Sequence, residues 1–249
     1  MPVDPSVTTV LKRVADQLGD DQTALATWNR DYYRNHRARY ISDVETVAEH
    51  YRDGEILEIA SGPCHLTAVL VTLGYRVVGV DLAPERFRSF IKDNGLKVVR
   101  CDIERDPLPF EDGSFRLVLF NEIFEHLRID PIHAMRELHR VLHADGTLIL
   151  TTPNLYYLRR VVSFLRGRGI CLPYTEFEKI HTLGHMGHVR EYARREVTDF
   201  LTRVGLRVRS TRYRCYEHSK DAKGLLERLA VSLFPPLSPY QVFVCEKAI

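Results

Sequence analysis

The chain has 249 residues, of which 45% are hydrophobic and 27% charged, and its formal net charge is +2. This composition is that of a globular protein and excludes a disordered or fibrous chain. The near-neutral charge gives no electrostatic reason to expect a nucleic-acid partner. No apolar run reaches the length of a membrane span, and the N-terminus shows no secretory signal. The five cysteines are scattered without a C-x-x-C pair, so we expect reduced thiols and a cytoplasmic protein.

The first fifty residues are polar and periodic, and they predict helices at about 5–18 and 21–50 that form an N-terminal cap, 1–50. Strands and helices alternate after this cap, and the clearest helix is Pro131–Leu142. The predicted strands are Glu55–Ala60, Tyr75–Asp81, Leu96–Asp102, Phe115–Phe120 and Gly146–Thr152. Such alternation is typical of a parallel sheet with helices on both faces.

The last part of the chain predicts a helix, Glu191–Val204, and two strands, Leu206–Arg214 and Tyr240–Glu246. The whole pattern indicates one α/β domain over 1–249, with a Rossmann-like, doubly wound, mostly parallel sheet of seven strands. Residues 154–190 form a long insertion after the fifth strand. A loop of that length at the carboxyl end of a strand favours a lid, and the alternative is a packing helix or the contact of a homodimer.

The first strand runs into the sequence Glu58-Ile-Ala60-Ser61-Gly62-Pro-Cys64. Small residues allow a ligand to approach the backbone closely, and this edge of a parallel sheet is where ligands bind. A dinucleotide site would have three glycines and no acid beside the pyrophosphate. Glu58 would repel a pyrophosphate but suits a sulfonium cofactor that carries an ammonium group. Asp81, at the end of the second strand, can accept both hydroxyls of a ribose.

This loop resembles the E-x-G-x-G-x-G motif of class I S-adenosylmethionine-dependent methyltransferases, with alanine and cysteine in two of the glycine positions. The resemblance implies S-adenosylmethionine as the cofactor. It also implies that Asp102 and Ile103 contact the adenine. A simpler role for any one of the three acids is to cap a helix. The remaining positions that the family implies as cofactor contacts are Leu82, Asn121 and Arg37, the last as the arginine that reaches the cofactor carboxylate in ubiquinone-type O-methyltransferases.

The fourth strand leads into Asn121-Glu122-Ile-Phe-Glu125-His126. On a helical turn, Glu122, Glu125 and His126 would share one face because they stand at i, i+3 and i+4. Two carboxylates beside an imidazole repel each other unless a positive charge lies between them. The pattern therefore predicts a divalent cation close to the transferred methyl group.

The E-x-x-E-H pattern resembles small-RNA 3′-terminal 2′-O-methyltransferases and ubiquinone-type O-methyltransferases. The resemblance implies that His188, in Gly187-His188-Val-Arg-Glu, is a fourth ligand and that the metal is Mg²⁺ or Mn²⁺. Two alternatives stay open. In metal-free relatives the histidine is a base or a packed side chain, and the histidines at 181, 185 and 188 could belong to a solvated loop.

A cation that binds a hydroxyl lowers its pKa, and a neutral imidazole, either His185 or one of the ligands, could take the proton. These residues therefore predict O-methylation of an acceptor with vicinal hydroxyls. A saccharide is favoured because the insertion mixes aromatic and basic side chains: Tyr156, Tyr157, Tyr174, Phe177, Arg159, Arg160, Arg166 and Lys179. The layout also resembles bacterial polysaccharide-pathway methyltransferases, including those of methylmannose polysaccharide synthesis. The alternatives are an RNA 3′-end ribose methyltransferase, a quinol or small-molecule O-methyltransferase, and a non-catalytic partner subunit.

Overall fold

A computed structural model describes residues 5–18, 24–169, 173–183, 187–188, 190–216 and 221–248. The strands are β1 (Ile56–Ile59), β2 (Val77–Asp81), β3 (Lys97–Arg100), β4 (Phe115–Asn121), β5 (Leu142–Pro153), β6 (Leu206–Arg214) and β7 (Tyr240–Lys247). The helices are α1 (Pro5–Asp16), α2 (Ala24–Asn35), α3 (Arg37–His50), α4 (His65–Thr72), α5 (Arg88–Asp93), α6 (Pro131–Val141), α7 (Leu158–Leu165), α8 (Pro173–Leu183), α9 (Arg194–Arg203) and α10 (Ala222–Leu233). Within the described ranges, no helix is both long and apolar enough to cross a membrane.

The seven strands follow the order β3-β2-β1-β4-β5-β7-β6. β1 pairs in parallel with β2 and β4, and β2 pairs in parallel with β3, whereas β7 runs antiparallel to both β5 and β6. Every residue of β1 is buried, as expected for a strand covered on both faces. The predicted α/β fold, a doubly wound and mostly parallel seven-stranded sheet, is confirmed.

Two predicted helices have different bounds in the structure. The predicted helix at 21–50 is interrupted at His36, whose ring Nδ1 lies 2.7 Å from the carbonyl oxygen of Tyr32. The helix predicted from Glu191 begins only at Arg194, because Tyr192 forms a strand-like bridge with Asn154. Residues 21–23 lie outside the described ranges.

The chain divides into two compact units. Unit 1 comprises Met1–Leu119 and Arg140–Thr147, and unit 2 comprises Phe120–His139 and Leu148–Ile249. The core of unit 1 includes Ile56, Leu57, Leu70 and Val78, and that of unit 2 includes Phe120, Phe124, Met135, Leu138 and Phe243, all nearly inaccessible to solvent. The residues predicted to bind the cofactor lie in unit 1, except Asn121, and those predicted to hold a metal lie in unit 2.

Candidate functional site

The turn after β1 has the backbone geometry of a glycine-rich loop although it contains one glycine. Ala60 and Cys64 adopt positive φ angles of 50° and 68°, a region that side chains disfavour and glycine tolerates. Gly62 allows a close approach, because a Cβ added there would lie 2.7 Å from Oδ2 of Asp81. Its backbone N–H donates a 2.8 Å hydrogen bond to that same oxygen. The turn and the carboxylate of Asp81 are therefore built as one unit.

Asp81 is held at both oxygens, since Oδ1 accepts a 2.8 Å hydrogen bond from the backbone N–H of Ala83. Each carboxylate oxygen has two lone pairs, so one acceptor site on each remains for a pair of vicinal hydroxyls. The structural role and the predicted ribose-binding role are thus compatible in one side chain.

Glu58 is buried, with 7% of its surface exposed, and its Oε2 accepts a 2.6 Å hydrogen bond from the Thr67 hydroxyl. Burial raises the pKa of this carboxyl to about 8, and the Arg39 guanidinium acts in the opposite direction. A cationic ligand group beside Glu58 would compensate the buried negative charge. This environment suits the ammonium group of the predicted cofactor.

Arg37, the arginine predicted to reach the cofactor, lies exposed on α3. Arg39 is buried instead, donates a 2.9 Å hydrogen bond to the Tyr32 hydroxyl, and acts electrostatically on Glu58. Positions two apart on a helix point about 200° away from each other, so only one of the two arginines can face inward. Arg39, and not Arg37, is therefore the arginine on the side of α3 that acts on Glu58, and residue type alone does not distinguish the two.

Asp102, one of the two predicted adenine contacts, lies at an open cleft of about 510 Å³ in unit 1. The cleft is lined by Leu82, Arg100, Cys101, Asp102, Arg105 and Asp106. Leu82 is 59% exposed and offers an apolar surface, while Oδ1 of Asp102 also accepts a 3.1 Å hydrogen bond from the N–H of Glu104. Ile103 is half-buried and is not among the lining residues. The cleft thus joins two of the predicted cofactor contacts, Leu82 and Asp102.

Substitution of Asp81 tests this half of the site. We expect Asp81→Asn to weaken S-adenosylhomocysteine binding by roughly 10- to 150-fold, the equivalent of the ~1.5–3 kcal/mol typical of hydrogen bonds to a charged group. Titration calorimetry measures the affinity, and NAD should not bind in parallel runs. Asp53→Asn is the matched control. That exposed aspartate lies away from the turn and pairs with Arg116 at a distance of 3.1 Å. Equal affinity of Asp81→Asn and the wild type would remove Asp81 from the cofactor site.

In unit 2, the chain leaves β4 through a short 3₁₀ turn, Phe124–His126. Glu122 precedes this turn with a φ of 57°, so it does not continue a helix toward Glu125. The prediction that Glu122, Glu125 and His126 share one helical face is therefore wrong. Among the described residues, the group whose potential ligand atoms lie within 4.8 Å of one another is Glu125, His126 and His188.

The three side chains converge on one point. Nε2 of His126 and Nε2 of His188 each lie 4.0 Å from Oε1 of Glu125. Nδ1 of His126 lies 3.1 Å from the carbonyl oxygen of Gly187, and Nδ1 of His188 lies 3.4 Å from a carboxylate oxygen of Glu191. Both of these partners accept hydrogen bonds, so Nδ1 of each ring is the donor to them, and Nε2 is the ring atom that faces Glu125.

A second layer of contacts fixes this group. Glu125 is fully buried, and its Oε2 accepts a 2.9 Å hydrogen bond from the Thr152 hydroxyl. Glu191 is also buried and accepts a 2.9 Å hydrogen bond from Arg160. Partners of this kind orient the ligands of metal sites. The sequence did not reveal Glu191, because an acid three residues after a histidine is a common pattern without a defined meaning.

The other predicted residues of unit 2 have separate outcomes. His185 lies outside the described residues, and Asn121 lies half-buried at the end of β4. The insertion contains α7 and α8, and its closure as a lid stays a prediction. Asn154 follows Thr152-Pro153 and anchors the chain, since its Nδ2 donates to the carbonyl oxygens of Pro236 and Ser238 at 2.7 and 2.8 Å.

The known proteins that this chain resembles in sequence and in fold include methyltransferases. Residues 57–150 match the family described as a methyltransferase domain. The ubiquinone/menaquinone biosynthesis C-methyltransferase UbiE of Citrifermentans bemidjiense is 27% identical over 126 residues, which are 45% of this chain and 52% of that protein. The ubiquinone biosynthesis O-methyltransferase of Xanthomonas campestris is 31% identical over 103 residues, which are 40% of this chain and 43% of that protein. The chain thus spans about half the length of these curated relatives.

Among solved structures, a SAM-dependent methyltransferase from Archaeoglobus fulgidus has the same fold, with a TM-score of 0.58. The match covers 87% of this chain and 99% of that chain at 13% sequence identity. At this identity the likeness concerns the fold alone, which agrees with the observed strand order. Residues 57–150 therefore match a methyltransferase-domain family, and the chain has the fold of class I methyltransferase structures.

Proposed function

We propose that the protein transfers a methyl group from S-adenosylmethionine to a hydroxyl oxygen, assisted by a divalent cation held by Glu125, His126 and His188. The observation that carries this proposal is the convergence of two imidazole Nε2 atoms on a buried carboxylate oxygen, each 4.0 Å away. Metal–ligand bonds of about 2.0–2.2 Å place neighbouring ligands of one ion roughly 3.0–3.5 Å apart. Each imidazole would therefore move toward the carboxylate by about half an ångström or more when a shared cation binds.

The nature of the ligands favours Mn²⁺ over Mg²⁺ within the predicted pair. Without Glu122, two of the three ligand groups are imidazoles, and Mg²⁺ prefers oxygen ligands with near-ideal octahedral geometry. Two histidines with one carboxylate form a set that holds first-row transition metals and leaves positions open. An acceptor oxygen can use such an open position.

In the proposed reaction, an oxygen–methyl bond forms as the sulfonium–methyl bond breaks, S-adenosylhomocysteine leaves, and the hydroxyl proton passes to a base. The cation would lower the pKa of the hydroxyl that it binds. Glu58, Asp81 and the cleft at Asp102 would hold the ammonium, ribose and adenine of the cofactor. Thr152 and Glu191 would keep Glu125 and His188 in position.

A saccharide is the acceptor that we propose, as in polysaccharide synthesis. Exposed aromatic rings support it, because Tyr156, Tyr174 and Phe177 are 57%, 78% and 58% exposed and can stack on sugar faces. Three basic residues predicted to assist them have other partners: Arg159 binds Glu227, Arg160 binds Glu191 and Lys179 binds Glu176. The two relatives, C- and O-methyltransferases of ubiquinone biosynthesis, favour a quinol precursor as the second candidate, with methylation at carbon or oxygen.

Transfer of labelled methyl groups tests the proposal directly. We expect product from S-adenosylmethionine with Mn²⁺ and a methyl glycoside bearing vicinal hydroxyls, and loss of product in excess chelator. Catechol and a ribose-ended RNA duplex are tested in parallel. Methylation of catechol alone would replace the saccharide by a quinol-like acceptor, and methylation of RNA would support the RNA-end alternative. Unchanged turnover in excess chelator would exclude the metal and leave a histidine as the general base.

A further inference from the structure

Helix α10 has an unusual orientation in unit 2, because it buries a glutamate and exposes its leucines. Glu227 is only 4% exposed, whereas Leu225, Leu226, Leu229 and Leu233 are 65%, 67%, 57% and 66% exposed. A surface helix of a globular protein normally turns its apolar stripe to the core and its charges to solvent. We call the four leucines the leucine face.

The buried side of α10 is held by specific contacts. Glu227 accepts hydrogen bonds from the Tyr157 hydroxyl and from Nε of Arg159, the latter at 3.0 Å. Gly224 and Val231, on the same side of the helix, are buried as well. The Asp221 side chain caps the helix by accepting a 2.8 Å hydrogen bond from the N–H of Gly224. These contacts determine the rotation of the helix about its axis, so the exposure of the leucines follows from the fold.

Basic side chains border the leucine face on both sides. With 3.6 residues per turn, Arg228 lies about 60° to one side of Leu225, and Lys223 lies about 60° beyond Leu226 on the other side. Both basic residues are exposed. The one acidic residue of α10 is Glu227, on the opposite side. An apolar stripe between cationic borders is the pattern of helices that lie in the interface of an anionic membrane.

We propose that α10 docks this protein peripherally on anionic lipid membranes, with the leucine face in the headgroup region and Lys223 and Arg228 among the lipid phosphates. The charge of its borders argues against a second copy of the chain as the partner of the leucine face. A symmetric dimer through this face would place the cationic borders of two copies near each other, which is unfavourable. Anionic lipids complement both the apolar stripe and its borders. Phe234, which is 65% exposed, directly follows the helix and extends the apolar surface.

Vesicle sedimentation tests this proposal. We expect the wild type to bind vesicles of phosphatidylcholine mixed with phosphatidylglycerol, to bind pure phosphatidylcholine weakly, and to lose binding as salt increases. The double variant Leu229→Ser with Leu233→Ser should bind about tenfold or more weakly, because each buried methylene contributes substantially to membrane affinity. Lys223→Glu with Arg228→Glu should weaken binding to the anionic vesicles alone.

Ile132→Ser is the matched control, since this residue is a 47% exposed apolar side chain on another helix of unit 2. It should bind vesicles like the wild type. The leucine variants should keep the wild-type melting temperature, because the side chains that they replace face solvent. Equal vesicle binding of the leucine variants and the wild type would overturn the proposal. Absence of vesicle binding by the wild type would also overturn it. In that case, a wild-type dimer in sedimentation velocity that is lost in the leucine variants would show that the leucine face binds a second copy of the chain.

Discussion

His188→Ala is expected to lower the affinity for Mn²⁺ by about 100-fold or more and to abolish methyl transfer, while S-adenosylhomocysteine binding stays near the wild-type value. The variant removes one of three ligand groups, and loss even of an outer partner of a metal ligand typically costs 10- to 100-fold. The predicted cofactor contacts Glu58, Asp81 and Asp102 belong to unit 1. Electron paramagnetic resonance of Mn²⁺ measures the metal affinity without knowledge of the acceptor.

Glu191→Gln tests whether Glu191 orients the proposed ligand His188. We expect this variant to bind Mn²⁺ about 10- to 100-fold more weakly, because Nδ1 of His188 loses its charged acceptor while Nε2 remains. His181→Ala is the control, since that histidine is exposed on α8 in the same insertion.

Wild-type Mn²⁺ affinity in His188→Ala would remove His188 from the proposed site. Stoichiometric Mn²⁺ binding that survives in Glu125→Ala would place the metal elsewhere.

The fold could be predicted from the sequence because its signals are local. The strands of the parallel sheet are short apolar runs bounded by turn residues, and five of them lie within a few residues of their predicted positions. The turn after β1 was also recognisable. Glu58, the small residues and Gly62 are present, although alanine and cysteine replace the other two glycines of the motif. Ala60 and Cys64 adopt the positive φ angles that the turn requires, so the turn keeps its geometry.

The details of the candidate metal site depend on backbone geometry that the sequence does not display. Spacing placed Glu122 with Glu125 and His126 only under the assumption of a regular helix, and the positive φ of Glu122 breaks that assumption. His188 is far along the chain, and its position was predicted from a family resemblance. The structure brings it to 4.0 Å from Glu125.

The orientation of α10 illustrates a different limit. Periodicity alone favours burial of leucines, and it cannot show that Tyr157 and Arg159 provide partners for a glutamate on the opposite side. The same limit applies to Arg37 and Arg39, which have the same side-chain chemistry. Tertiary contacts decide which face of a helix is buried when both faces carry polar groups.

Glu58→Gln is expected to stabilise the protein in alkaline solution and to weaken cofactor binding. In the folded protein, burial raises the pKa of Glu58 from its ordinary value of 4.5 to about 8. Between these values the folded state holds a proton that the unfolded chain releases, so the contribution of Glu58 to stability is present below about pH 4.5 and is lost as the pH rises to about 8. At about 1.4 kcal/mol per pKa unit, the loss is on the order of several kcal/mol.

Glutamine has the same shape, keeps an acceptor for the Thr67 hydroxyl and does not ionise. The variant should therefore match the wild type near pH 5 and exceed its free energy of unfolding at pH 9, as measured by urea denaturation. Glu55→Gln is the control, because that side chain is partly exposed and pairs with Lys97 at 3.2 Å, and it should change stability by about 0.5 kcal/mol or less. An identical pH dependence of stability in Glu58→Gln and the wild type would contradict the raised pKa.

The same substitution links stability to binding. The ammonium of S-adenosylhomocysteine favours the ionised carboxylate, so binding at pH 7 should release a proton from Glu58 in the wild type, and the affinity should increase between pH 6 and pH 8. Calorimetry in buffers of different ionisation enthalpy measures this proton. In Glu58→Gln the release attributable to Glu58 should vanish and the affinity should fall by about tenfold or more. The cofactor's own titration is common to both proteins, so the difference between them isolates Glu58. Equal proton release and equal affinity in both would show that the buried carboxyl of Glu58 serves the fold and does not contact the cofactor.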